Sequence, residues 1–423
     1  MPSISTRARL GAAAVVTVVC AFLAYGSPMG TSYLGLTPCH PSLCDDAGPA
    51  VAALSEGDVH GFFAQQPPMG SFSVLVRAPF AAAARAAGGH DLAIYRAGAF
   101  ACLLALGLLA AWTALMLLRR GRSTGFALVV GAAVLVNPVT FSALELGHPE
   151  ELLAGALCVA AVIAAGRGRA LGAGLLLAAA LATKQWALLA VPVVVLAAPR
   201  SRGRLLGFAG GGAAVLTVPM LLADPSRFWL AEKSVGFGAT VHGSVSASNV
   251  WFPFADGSTA ETLTSRGVQL MTQFSLPSFV APLAQSLVIV LALGAAAAYA
   301  RGRRAVEPEE ALQLLALVLL VRCILDPTAH SFQHAPFLVA LVVYEALRRR
   351  VPVMSGFAIA ALLLMTHVVV RTHDDALVNG FYLAWSLPLA AALAFATLAP
   401  RRLEALAAGL RAPSAQTTQG AST

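Results

Sequence analysis

Apolar runs long enough to cross a bilayer alternate along this chain with short arginine-bearing turns and two long polar segments. A helix needs roughly 20 apolar residues to cross hydrocarbon. Taken in order, the runs fall at about 9–26, 92–118, 125–142, 151–166, 170–183, 185–198, 205–222, 280–300, 311–325, 335–347, 352–370 and 379–399. Arginines close alternate ones: Arg119, Arg120 and Arg122; Arg167 and Arg169; Arg200, Arg202 and Arg204; Arg301, Arg303 and Arg304; Arg348, Arg349 and Arg350; Arg401 and Arg402. Basic residues favour the cytoplasmic side, so these turns define the inner face. The pattern predicts an all-α, polytopic integral membrane protein of about twelve transmembrane helices with both termini cytoplasmic. The first run follows Arg7 and Arg9 and lacks a small-residue cleavage site behind it, so it reads as a retained signal anchor.

Two outer loops, about 27–90 and 223–279, interrupt the pattern within one transmembrane domain spanning 1–400. The Gly, Pro and polar content of the first excludes a span, although Phe72 to Ala87 suits a helix lying on the membrane. The segment 401–423 is a polar tail rich in Ser, Thr and Gln, a composition that forms no core. The runs at 170–183 and 185–198 are short for full spans, so Lys184 at the tip of that hairpin is expected below the outer surface, in a protein-lined recess.

Composition narrows the class. Of the 423 residues 58% are hydrophobic and 11% charged, against about 25% charged in soluble domains. The net charge of +8 does not signal nucleic acid, because the basic residues sit at the ends of apolar runs. No phosphate-binding glycine loop and no nucleotide fold is visible, so a sugar donor need not be a cytosolic nucleotide. Cys20, Cys102, Cys158 and Cys323 lie in apolar helices and read as packing residues. Cys39 and Cys44 lie in the first outer loop, where a disulfide could form.

Most acids and all nine histidines fall on the outer side of this topology. The positive-inside bias does not require that, so the chemistry is expected outside. Asp45-Asp46 could supply a general base; a solvated Asp-Asp-Ala-Gly-Pro turn is the plainer alternative. Glu145, His148, Glu150 and Glu151 could hydrogen-bond a sugar, and His148 with either of the last two has ligand chemistry for a divalent metal. Acids in the first turn of a helix also favour its dipole, which needs no ligand. Lys184 between apolar helices requires a partner, either an anionic ligand or a neighbouring carboxylate. Arg322, Asp326, His330 and His334 cluster where one helix emerges, and an Arg322–Asp326 pair one turn apart accounts for two of them. In the second loop, Ser248, Asn249, Trp251 and Phe252 suit a sugar ring or an interfacial aromatic belt.

Together these pieces resemble a polyprenyl-phosphate-dependent membrane glycosyltransferase of the GT-C class, and most closely the actinobacterial mannosyltransferases of glycosyltransferase family 87. The resemblance rests on Asp45-Asp46 and Pro67-Pro68, on NPVTFSALELGHPEELLAGAL from Asn137, on Ala-Thr-Lys184-Gln-Trp186, and on Arg322-Cys-Ile-Leu-Asp326-Pro327. It implies that Asp45 or Asp46 is the catalytic base and that Lys184, Arg322 and His330 bind the donor phosphate. Glu145, His148, Glu151, Asn249, Trp251 and Asp326 would contact sugar or acceptor. The implied reaction moves a sugar, mannose by resemblance, from a polyprenyl-phosphate donor to a glycolipid or glycan of the cell envelope with inversion. It implies membrane lipid as a partner, no nucleic acid, and no defined metal cofactor. The rival class is a multi-pass transporter or lipid flippase using Lys184 and Arg322; the absence of an internal repeat counts against it.

Overall fold

The computed structural model describes residues 6–26, 45–67, 70–236, 245–264, 267–301, 306–348, 351–372 and 374–399. The Cys39–Cys44 pair, Pro68, Arg303, Arg304, Arg349, Arg350 and the tail 401–423 lie outside the described residues.

Helix α1 (Thr6–Gly26) packs on the long α5 (Asp91–Arg119). Between them the first loop folds into α2 (Gly48–Ser55), α3 (Val59–Gln65) and α4 (Ser71–Ala86). The apolar run expected at 125–142 is broken by Asn137-Pro138. Asn137 accepts from the Thr140 amide at 3.0 Å, and Pro138 opens the next helix, where a missing amide hydrogen costs nothing. The run therefore becomes α6 (Thr124–Leu135) and α7 (Pro138–Glu145). Helices α8 (Glu150–Gly166) and α9 (Ala170–Leu181) follow, then a 3₁₀ turn at Gln185–Leu189 and α10 (Ala190–Ala197).

The remaining helices are α11 (Arg202–Ala223), α12 (Pro225–Gly236), α13 (Val280–Ala300), α14 (Pro308–Leu325), α15 (Ala335–Arg348), α16 (Val353–Leu364) and α17 (Asp375–Leu398). Helices α8, α14 and α15 are apolar on nearly every side and buried on nearly every side, as a helix without a polar face must be. They form the centre of the bundle. Helices α11 and α13 lie at its rim and expose Val215, Leu222 and Val290, side chains suited to lipid. Five helical stretches among the described residues are long and apolar enough to cross a membrane, and the other apolar helices are shorter.

The second loop departs from an all-α fold. It contains an antiparallel hairpin of β1 (Asp256–Thr264) and β2 (Gly267–Ser275), in register from Asp256 opposite Ser275 to Thr264 opposite Gly267. Val268, Leu270, Thr272 and Phe274 recur with the period of two that strands require. The Val245 amide donates to the Phe274 carbonyl at 2.8 Å and ties the hairpin to the irregular segment leading to Asn249.

Candidate active site

The site is built around the start of α8. A left-handed Gly147 and Pro149 turn the chain into the helix, placing Glu150 and Glu151 in its first turn. There the unpaired amides favour negative charge. Both carboxylates are nevertheless buried, at 0% and 1% exposure, so they need cations. Lys184 Nζ lies 3.0 Å from Glu150 Oε1 and 3.6 Å from Glu151 Oε1. Arg77 Nη1 lies 3.9 Å from Glu150 Oε2, and Arg322 Nη1 lies 4.0 Å from Glu151 Oε2. Arg77 in turn clasps Asp45 with both guanidinium nitrogens, Nη1 donating to Oδ1 at 3.0 Å and Nη2 to Oδ2. The result is one row, Asp45–Arg77–Glu150–Lys184–Glu151–Arg322, in which acid and base alternate and the charges cancel. Alternation is what makes the row tolerable: each buried ion has opposite charge on the sides where it has neighbours.

Each member is held by its own element. Arg77 lies on the face of α4 that carries Val74, Ala78 and Ala81, all buried. Gly98 of α5 leaves room for it, since a Cβ there would stand 3.3 Å from Arg77 Nε. The Tyr95 ring lies under the guanidinium at 5.7 Å, and its hydroxyl donates to the Leu144 carbonyl at 3.0 Å. Lys184 sits at the tip between α9 and the 3₁₀ turn. Gly70 and Phe72 donate their amides to the Thr183 and Ala182 carbonyls at 3.1 and 2.9 Å. A Cβ at Gly70 would stand 2.0 Å from the Ala182 carbonyl oxygen, so only glycine permits this docking. The end of the first loop is thereby stitched to the lysine's backbone. Next to Lys184, Gln185 donates its amide to Glu232 of α12. Burial holds Glu232 above the usual carboxylate range, and the Gln185 hydrogen bond draws it part of the way back. At the other end Arg322, one turn before the end of α14, stacks over Trp186 at 5.1 Å.

The family model described as glycosyltransferase family 87 matches residues 67–327, more than half of the chain. The chain belongs to glycosyltransferase family 87. That family is one of glycosyltransferases, and the five long apolar stretches described above are of the kind that cross a membrane. The match takes in Arg77, Glu150, Glu151, Lys184 and Arg322 and ends before His330. No curated protein matches the chain. Among solved structures, the archaeal oligosaccharyltransferase AglB from Archaeoglobus fulgidus, in complex with an inhibitory peptide and a dolichol-phosphate, is similar at 13% identity and a TM-score of 0.37. The likeness covers 91% of this chain and 55% of that one, so the chain spans about half the length of AglB.

In this family 87 glycosyltransferase the two loop aspartates part company. Asp45 is 3% exposed and held by Arg77 and the Ala47 amide, whereas Asp46 is exposed and within electrostatic range of Lys184. His148 hydrogen-bonds Glu150 through Nδ1 at 3.1 Å and stacks on Phe332 at 4.2 Å. The exposed His330 stacks on Phe332 as well, at 5.7 Å. Glu145, at the end of α7, is half-buried. Arg322 does not pair with Asp326. It turns toward Glu151, and Asp326 accepts from the Thr328 amide and hydroxyl at 3.0 and 2.9 Å.

Asn249 and Trp251 bind backbone. Asn249 Nδ2 donates to the Ser246 and Pro327 carbonyls, and its Oδ1 accepts from the Trp251 and Phe252 amides. Trp251 Nε1 donates to the Leu325 carbonyl at 2.7 Å. These residues fasten the second loop to the end of α14. Among the described residues no group of three or more His, Cys, Asp and Glu side chains is placed to hold a metal ion. Sequence reasoning missed Arg77 and Phe332 as site members. For Arg77 a signal existed: Val74, Ala78 and Ala81 share its helical face, which marks a charged side chain on a buried stripe.

Proposed function

We propose that this glycosyltransferase transfers a sugar, mannose by resemblance, from a polyprenyl-phosphate donor to a glycolipid or glycan of the cell envelope, at the outer face of the membrane and with inversion. The observation that carries this reading is the Arg322 end of the charge row. Arg322 Nη1 and the Trp186 Nε1 beneath it are both buried and have no hydrogen-bond partner among the described residues. Two N–H donors on one stacked pair, one of them cationic, suit a phosphate oxygen.

Asp46 is the base in this reading, being exposed near Lys184 while Asp45 is engaged by Arg77. Its carboxylate takes the proton from an acceptor hydroxyl. The oxygen attacks the anomeric carbon, the bond from that carbon to the phosphate oxygen breaks, and the electron pair departs with prenyl phosphate. Arg322, with Lys184 and His330, would offset the negative charge that develops on the leaving group. Glu145 and His148 would contact the sugar, with Glu151 behind them in the charge row, and Asn249, Trp251 and Asp326 set the position of the second loop.

Membranes containing the protein, given radiolabelled polyprenyl-phosphate mannose, should pass label to an envelope glycolipid or glycan. Asp46→Asn should lower that transfer by about 10²–10⁴-fold, the usual worth of a general base. Its stability should stay within about 0.5 kcal/mol, as for an exposed substitution. Transfer from nucleotide-linked mannose in membranes stripped of the lipid donor would overturn the reading.

A further inference from the structure

A second feature lies roughly 25 Å along α8 from Glu150, at the helix's other end. There α5, α8 and α9 part around an open groove of about 360 Å³, lined by Leu108, Leu157, Ala160 and Leu176 among others, with Arg167 and Arg169 where α8 turns into α9. The Arg167 guanidinium lies over Trp112 at 4.8 Å and donates to Met116 Sδ at 3.5 Å. Arg119, Arg120 and Arg169 stand within electrostatic range, and their like charges oppose its own. Glu309 is the acid that acts on Arg167, and Arg120 already holds it at 2.6 Å. Arg119, Arg167 and Arg169 pair with no carboxylate among the described residues.

An apolar groove with two arginines at its mouth, neither paired with a carboxylate among the described residues, complements one kind of molecule: an anion joined to a hydrocarbon chain. We propose that this groove binds an anionic phospholipid, with an acyl chain between α5 and α8 and the phosphate on Arg167 and Arg169. A planar guanidinium fork matches phosphate geometry, and clustered basic residues at a membrane surface select anionic headgroups over zwitterionic ones. The site shares no residue with the charge row and stands independently of which sugar is transferred.

Native mass spectrometry of the full-length protein in detergent tests it, with dioleoylphosphatidylglycerol and dioleoylphosphatidylcholine titrated separately. The wild-type protein should retain the phosphatidylglycerol and release the phosphatidylcholine. Arg167→Gln with Arg169→Gln should weaken retention by about thirtyfold, the factor two basic side chains give at an anionic surface. Ala160→Trp, which fills the groove and leaves the arginines in place, should abolish it. Glycerophosphoglycerol, the same headgroup without chains, should not displace the lipid. Displacement by that headgroup would show a bare anion site and overturn the proposal. So would equal retention of the two lipids by the wild-type protein, or unchanged retention in the double arginine variant.

Discussion

Arg77→Met tests the charge row at its most enclosed point. The variant keeps the length and apolar stem of the side chain and removes the guanidinium. Asp45 then stays in a place where it is 3% exposed, and among the described residues only the Ala47 amide, at 3.1 Å, still donates to it. Glu150 loses less, because Lys184 remains at 3.0 Å. Removing one partner of a buried pair costs about 3–5 kcal/mol, and the surviving amide bond places Arg77→Met near the lower limit. Asp45→Asn should cost about as much, since it leaves Arg77 buried with Glu150 at a looser 3.9 Å. The double variant leaves no unpaired charge in that corner. Its cost should fall short of the sum of the two single costs by about 2–3 kcal/mol, the coupling expected of residues in direct contact. Unfolding of the purified protein by SDS in mixed micelles, followed by tryptophan fluorescence, measures all four corners of the cycle. Costs that add to within about 0.5 kcal/mol would show that the pair is not energetically coupled and sink the reasoning. Turnover per folded molecule, read in the same preparations, should survive Asp45→Asn. Loss of chemistry with unchanged stability would move the base from Asp46 to Asp45.

Lys184→Met leaves two buried carboxylates with only the looser arginine contacts at 3.9 and 4.0 Å and should lower the folded yield sharply, whereas adding Glu150→Gln should restore part of it; unchanged yield would mean that Lys184 is not a structural counterion. Trp186→Phe keeps the ring under Arg322 and removes one N–H, so it should weaken use of the lipid donor by about tenfold or more, as loss of a hydrogen bond to a charged group does, with melting temperature unmoved. Asn249→Ala strips a partner from four backbone groups, of which the Pro327 carbonyl keeps the Ser246 amide, and should cost about 3 kcal/mol or more at 1–3 kcal/mol for each of the three left unsatisfied; a fully stable Asn249→Ala with impaired sugar binding would make it a ligand contact instead.

Helix positions were largely legible, because apolar runs ended by arginines are a strong signal. The expected run at 92–118 is α5, and that at 280–300 is α13. The Asn137-Pro138 break was visible in the residues but hidden by the continuous hydrophobicity around it. In the site, the polar cluster at Glu145–Glu151 and the lone Lys184 stood out because charge is rare in such company. Their mutual contact did not, since nothing in the spacing states which helices pack. Arg322–Asp326 looked like a pair by helical periodicity. The helix ends at Leu325, however, and Asp326 follows the turn instead of the helix. The difference between Asp45 and Asp46 is invisible in a sequence where they are adjacent. It arises because Arg77, remote along the chain, reaches only one of them.

The charge row also bears on how the chain is made. Ribosomal synthesis delivers Asp45, Arg77, Glu150, Glu151 and Lys184 first, and Arg322 arrives only with α14. Until then the assembling site carries a surplus negative charge in an apolar setting, with Glu151 served by Lys184 alone. Docking of α14 supplies the missing cation and inserts one of the central helices in the same event. A nascent chain stopped before α14 is therefore left with an electrostatic defect at its heart, which membrane quality control could read as the mark of an unfinished molecule.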